Sequence, residues 1–180
     1  MTHGAPSSDE PVEEAPATYP DHWEADVLLR DGHTAHLRPI RPDDRDRLIE
    51  FYDLVSDQSK YYRFFAPMPK LSDRDLNRFT HVDHVNRVAF VVTVADKILG
   101  VGRYDALDGP GTTAGDAEVA FLVQDKHHGR GIAQLILEHL AQAGREHGIK
   151  RFVAEVLPEN MKMLSVFRDA GYKLAGGYED

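Results

Sequence analysis

The 180-residue chain contains no cysteine. That removes disulfides, thiolate metal sites and a cysteine nucleophile, so a covalent relay through a thiol is excluded. No apolar run approaches the roughly 20 residues that a bilayer-spanning helix needs. The first residues show neither the basic start nor the apolar stretch of a secretory leader. Lys and Arg are missing from the first 24 residues, which hold Asp9, Glu10, Glu13, Glu14, Asp21 and Glu24. Those six carboxylates account for −6 of the formal net charge of −9, leaving −3 for the rest. A mildly acidic remainder does not suit duplex nucleic acid, whose phosphates call for a basic face. The absences together predict a cytoplasmic protein without a nucleic-acid or membrane partner. A basic protein patch or an amine substrate stays electrostatically acceptable.

An apolar share of 42% beside a charged share of 28% is that of a globular domain able to bury a core without staples. Residues 1–24 are rich in Pro, Ala, Ser and Glu and offer little to bury, so they are expected to be a disordered acidic tail before a domain over 25–180. Asp31-Gly32 between "VLLR" and "TAHLRPI" predicts a hairpin. Asp43 is the expected N-cap of "DRDRLIEFYDLV", and Ser72 that of "DRDLNRFTHV". "SKYYRFFAPMPK" reads as a packed loop or short helix. "RVAFVVTVADKILGVGRYDAL" reads as two strands turning at Ala95-Asp96-Lys97, with "GPGTTAG" a loop and "DAEVAFLV" the next strand. "GIAQLILEHLAQAGREHG" is the clearest helix, with Ile132, Leu135, Ile136, His139, Leu140 and Ala143 as its inner stripe and Gly148 as its stop. "RFVAEVL" reads as a strand, Asn160 opens a helix closed by Gly171, and "YKLAGGY" begins another strand. No internal repeat is visible. The order predicts an α/β (α+β) domain on one mixed sheet, and argues against a doubly wound nucleotide fold.

"FLVQDKHHGRGIA" joins a strand to the strongest helix. The first helical N–H groups have no internal partners, and the dipole adds partial positive charge. Gly129 and Gly131 let a ligand reach that backbone, with Lys126 and Arg130 adding formal charge. Such a junction can seat a pyrophosphate, or can be a tight turn that binds nothing. It is not G-x-G-x-x-G, because Gln134 takes the third glycine position, and no G-K-[ST] occurs. His127 and His128 taken singly read as solvated loop residues.

"HGRGIA" resembles the acyl-CoA loop Q/R-x-x-G-x-G/A of the GNAT N-acetyltransferase superfamily, with Gly131 and Ala133 at the small positions and His128 where Gln or Arg is usual. "PENMKMLSVFRDAGY" resembles that superfamily's later helix through Asn160, Gly171 and Tyr172, with Met163 replacing the usual Ala. "LRDGHTAHLRPIRPDD", "YYRFFAPMPKLSDRDL" and "VGRYDAL" narrow the resemblance to bacterial Pat-type protein lysine acetyltransferases, over roughly 27–178. The resemblance implies a GNAT fold, a mixed and mostly antiparallel sheet flanked by helices. It implies acetyl-CoA as co-substrate and acyl-CoA synthetases as protein substrates. It further implies a cofactor site of Phe121, Leu122, Val123, His128, Gly129, Arg130, Gly131, Ile132, Ala133, Asn160 and Phe167. His128 is expected to lend its amide rather than its ring. Such domains usually continue for two strands past "GY" and are often fused to a regulatory region, so the end at Asp180 suggests a piece of a longer parent chain.

An N-acetyltransferase must deliver a neutral amine, and lysine has an unperturbed pKa near 10.4, so a base is needed. Glu118, a carboxylate in an otherwise apolar strand, is the first candidate, since burial there would raise its pKa. Its alternative is a solvated or arginine-paired carboxylate. Glu155 on the following strand is the second candidate, with a structural ion pair as its plainer reading. Asp105 and His127 are weaker. Where the superfamily often has a tyrosine acid, this chain has Phe167, leaving Tyr172, Ser165, water or an unassisted thiolate. His81 and His84 at i, i+3 lack an evident third ligand, so no metal is expected. Tyr61, Tyr62, Phe64 and Phe65 suit a core better than a channel, and Arg63 suits a surface ion pair. A small-amine acetyltransferase, a non-catalytic acyl-CoA sensor and a ligand-free α/β domain remain the rival readings.

Overall fold

The computed structural model describes residues 18–107 and 114–173. Residues 18–24, assigned to the expected tail, are part of the described structure. Trp23 is buried and its indole N–H donates to Glu146 at 3.1 Å, while the Tyr19 hydroxyl donates to the Pro39 carbonyl at 2.8 Å. One indole and one phenol are enough to dock 18–24 on the domain, which a reading of average composition passes over.

Strands β1 (Ala25–Leu28) and β2 (Thr34–Pro39) form the predicted hairpin, with Gly32 at φ 90° and the His33 N–H held by the Asp31 carboxylate. Three helices follow, α1 (Arg45–Asp53), α2 (Asp57–Phe64) and α3 (Asp73–Thr80). Ser56 and Ser72 cap α2 and α3 with their hydroxyls, Ser72 in a capping box with Asp75. Asp43 does not cap α1. Asp44 precedes the helix instead, and its side chain is turned inward to Arg38 at 2.7 and 2.8 Å and to the Arg41 N–H at 2.7 Å. Both partners are buried. Burial alone would raise the Asp44 carboxyl, but the Arg38 guanidinium outweighs it and holds the group below the usual carboxylate range.

Strands β3 (Arg87–Val94) and β4 (Lys97–Ala106) turn at Ala95-Asp96, both at positive φ, as a two-residue hairpin requires. Strand β5 (Asp116–Val123) leads to helix α4 (Ile132–Glu146), then β6 (Arg151–Val153) and helix α5 (Met161–Asp169). Among the described residues the sheet has six strands in the order β1-β2-β3-β4-β5-β6, antiparallel except for β5 with β6. The expected "RFVAEVL" strand is therefore shorter, ending at Val153. The strand expected at "YKLAGGY" and most of "GPGTTAG" lie outside the described residues.

Both sheet faces are covered, which is why β3 is buried almost throughout. Val88, Phe90 and Val92 face α4 and α5, while Ala89 and Val91 face Leu48, Phe51 and Tyr52 of α1. Helix α4 buries Ile132, Ile136, Leu137, Leu140, Ala143 and Gly144, so Leu137 joins the expected stripe while Leu135 and His139 are half-buried. It lies close to β4 because Gly100 and Gly102 have no side chain. A Cβ on Gly102 would stand 2.4 Å from Ile136 Cγ2.

Candidate active site

The parallel pairing of β5 with β6 lasts three residues and stops at Glu118 opposite Val153. Beyond it the strands part, and Phe167 of α5 packs against Phe121 with ring centroids 5.8 Å apart. The gap opens into a cleft of about 1030 Å³, lined by Val119–Val123, by Ala154–Val156 and by the turn before α4.

Backbone polarity follows from register. The Leu107 N–H donates to the Asp116 carbonyl and the Gln124 N–H to the Leu99 carbonyl, so even-numbered peptide groups of β5 serve β4. By the alternation of an antiparallel ladder, Val119, Phe121 and Val123 turn their peptide groups to the β6 side, where the Val119 N–H serves the last pairing with Val153 and the other groups face the gap. His128 Nε2 donates to the Val123 carbonyl at 3.0 Å from that side. An extended amide-bearing ligand can pair with the remaining groups as a strand would.

The turn before α4 runs through Gly129 at φ 85° and Gly131 at φ 82°, both left-handed and suited to glycine. Gly131 is the N-cap of α4 and has no side chain to cap it, so first-turn amides are available to an anion. Ile132 and Ala133 line the cleft there. The formal charges differ from expectation. Arg130 Nε donates to Asp31 at 2.7 Å and its Nη1 meets His127 Nδ1 at 2.9 Å, so its guanidinium is committed outside the cleft lining. Lys126 is exposed and also lies off the lining. Arg30 from the hairpin and Lys162 from α5 line the cleft instead. The His128 ring joins the Val123 carbonyl to Lys162 Nζ, 3.2 Å from Nδ1, whereas its amide, expected to serve the cofactor, donates instead to the Asp125 carbonyl at 3.1 Å. His127 is held below the ordinary histidine range by burial and then by Arg130.

Of the predicted cofactor residues, Phe121, Leu122, Val123, His128, Gly129, Gly131, Ile132, Ala133, Asn160 and Phe167 line this one cleft. Asn160 also caps α5 through its side-chain oxygen, 3.3 Å from the Met163 N–H. Glu118 and Glu155 line it too. Neither fits its expected setting. Glu118 is exposed rather than buried, and Glu155 lies past the end of β6 and is also exposed. Asp105 sits directly opposite Glu118 on β4, 3.7 Å from Arg87 and 3.9 Å from Arg78. Ser165 lines the cleft, whereas Tyr172 packs behind Phe167 with centroids 5.7 Å apart, and burial raises its phenol.

Helix α2 closes the opposite wall. Asp125 accepts from the Ser56 N–H at 2.8 Å and from the Ser56 and Ser59 hydroxyls at 2.9 and 2.8 Å, tying the start of α2 to the turn. The Tyr62 hydroxyl reaches the Glu159 carbonyl at 3.4 Å. Arg63 and Phe65, expected on the surface and in the core, line the cleft with Tyr62 and Phe64. Burial pushes the Arg63 guanidinium down, against the pull of Asp105 and Glu118. Burial pushes Arg103 of β4 down further, to about 9. The sequence reading missed Arg30, Lys162 and Arg103. For Arg103 a signal existed, since it is a charge inside an apolar strand, the reasoning that picked out Glu118. His84 is buried with its ring edge-on to Tyr19, and no cluster of metal-ligating residues occurs among the described residues.

Residues 35–173 match the family model described as Acetyltransferase (GNAT) domain. The crystal structure of the GNAT domain of S. lividans PAT superposes with a TM-score of 0.86 at 56% identity, over 91% of this chain and 95% of that one. Acetyltransferase Pat of Mycolicibacterium smegmatis is 32% identical over 146 residues, which cover 81% of this chain and 43% of that protein. An acetyltransferase of Pseudomonas aeruginosa is 27% identical over 135 residues, 73% of this chain and 69% of that protein.

Proposed function

The chain belongs to the GNAT acetyltransferase family, and we propose that it is an acetyl-CoA-dependent protein lysine N-acetyltransferase acting on acyl-CoA synthetases. One observation carries the reading. The β5 edge, with the peptide groups of Val119, Phe121 and Val123 turned outward, runs continuously into the uncapped start of α4, with Glu118 at the closed end of the gap. That is a track for a pantetheine arm ending at an anion cradle for its pyrophosphate. The high identity to the PAT domain and the match to Pat support a protein lysine as acceptor. The chain spans less than half of Pat, which supports a fused regulatory region in the parent protein.

In this reading first-turn amides of α4, with Arg30 and Lys162, hold the phosphates. β5 amides near Phe121 hold the thioester oxygen and favour the negative charge that develops on it. Glu118 accepts a proton from the incoming ammonium. Because Glu118 is exposed to the cleft, a water can relay that proton. The amine then forms the new C–N bond as the C–S bond breaks and the thiolate departs. The second proton shed by the nitrogen goes to the departing sulfur, and Ser165, one of the hydroxyls lining the cleft with Ser59 and Tyr62, can pass it on. Arg130 and Tyr172 have no part in it.

Glu118→Gln tests the assignment. Turnover on a purified acyl-CoA synthetase should fall by about 10²–10⁴-fold, while acetyl-CoA still raises the melting temperature by linkage. Full activity in the variant would remove Glu118 as base. Turnover of polyamines or aminoglycosides but of no synthetase would remove the protein acceptor.

A further inference from the structure

The wall of the cleft beyond Glu118 holds two guanidinium groups that the chemistry above leaves unused. Arg103 is 6% exposed, and among the described residues it has no carboxylate within 4.0 Å. One of its N–H groups donates to the Phe79 carbonyl at 3.3 Å, and the guanidinium lies 4.5 Å from the Phe79 ring centroid. Arg63 lies 4.5 Å from the Phe64 centroid and makes no hydrogen bond or ion pair among the described residues. The Phe64 and Phe79 rings stack at 6.3 Å, so the two cations flank one aromatic pair. Both line the cleft.

Desolvated charges are ordinarily paired, because leaving one unpaired is costly. The two nearby carboxylates do not supply the pairing. Asp105 is within ion-pair reach of Arg78 and Arg87, and Glu118 is turned to the cleft, where a base must be free. At neutral pH both guanidinium groups are charged, since even Arg103 is lowered only to about 9. The wall therefore presents an excess of positive charge, in a fork geometry that matches a carboxylate.

We propose that Arg63 and Arg103 form a carboxylate subsite that reads an acidic group beside the acceptor amine, which in a protein substrate is an Asp or Glu next to the target lysine. This rests on the acetyltransferase reading and names a determinant of its acceptor specificity.

The test compares kcat/KM for two lysine peptides that differ only in Glu or Gln beside the lysine, and for aminohexanoate against its amide. The wild-type protein should prefer the carboxylate member of each pair it acetylates by about tenfold or more, the range of a hydrogen bond to a charged group. Arg63→Gln should bring that ratio towards one, and Arg63→Lys should restore part of it. A loss of fold would not mimic this, since it lowers both members of a pair alike. Arg103 is buried, so Arg103→Gln is read beside its melting temperature and the shift that acetyl-CoA produces. Equal use of both members by the wild type overturns the subsite, as does an unchanged preference in Arg63→Gln. If the peptides fail and the small amines turn over, the protein-lysine reading falls, and the aminohexanoate pair still decides the subsite.

Discussion

Gly102→Ala probes how the fold sets the cleft. A Cβ at this position would lie 2.4 Å from Ile136 Cγ2 and 2.7 and 2.9 Å from two atoms of the Phe121 ring. Carbon atoms in contact prefer about 3.5–4.0 Å, so more than 1 Å must be found against Ile136. Ile136 is fully buried and lines no cleft, so it has no free space to retreat into, while Phe121 can give only towards the cleft it lines. Overpacking of this kind costs about 1–3 kcal/mol, and the entropy that alanine removes from the unfolded chain returns about 0.4–1 kcal/mol. A net loss of about 1 kcal/mol lowers the melting temperature of a chain this size by about 2–4 °C. The same displacement moves α4 or β5, the two elements that form the cradle and the track. KM for acetyl-CoA should therefore rise with the loss of stability. Removing the obstructing methyl supplies a check. Ile136→Ala is destabilising alone, yet Gly102→Ala with Ile136→Ala should cost less than the two effects added. An unshifted melting temperature and KM in Gly102→Ala, or strict additivity in the pair, would refute the claim that these glycines set the helix against the strand.

Two further outcomes can be checked with simpler assays. Asp44→Asn leaves the buried Arg38 without its counter-charge and should cost about 3–5 kcal/mol in urea unfolding at pH 7. The Asp44 carboxyl is lowered in the folded state, so its contribution is complete above the unfolded carboxylate pKa of about 3.9 and fades as pH falls through the folded value; a gap between wild type and variant that stays constant from pH 7 to pH 2 would contradict the pairing. His128→Ala keeps the backbone amide and removes the ring that holds the Val123 carbonyl and meets Lys162, so KM for acetyl-CoA should rise about fivefold for one lost hydrogen bond of about 1 kcal/mol. An unchanged KM would show that the His128 ring adds nothing to the cradle.

The features that could be read in the sequence are those set by a few neighbouring residues. Asp31-Gly32 and Ala95-Asp96 appear as the two hairpin turns, with Gly32, Ala95 and Asp96 at positive φ. Ser56, Ser72 and Asn160 each cap a helix, the last two as expected. Gly129 and Gly131 form the left-handed turn before α4. The length of β6 could not be read in the same way. "FVAEVL" has strand composition throughout, and nothing in that composition marks Val153 as the last residue paired with β5. The expected burial of Glu118 failed for the same reason. Its strand is apolar, but the parting of β5 from β6 begins at this residue and opens its side to the cleft.

Charge around the glycine turn shows the limit most sharply. Arg130 stands between the two glycines, and proximity in sequence made it a natural phosphate contact. In the folded chain the hairpin turn 99 residues earlier packs beside it, and Asp31 takes its guanidinium. The Arg30 N–H donates to the Arg130 carbonyl at 3.0 Å, which sets Arg30 against Gly131 with its guanidinium on Gln134. The hairpin thus withdraws one arginine from the cradle and supplies another, leaving the local charge unchanged while replacing the residue that bears it. A motif read along the chain can establish that a cradle of this kind carries positive charge. Which side chain supplies that charge depends on a long-range pairing, and no spacing within the motif encodes it.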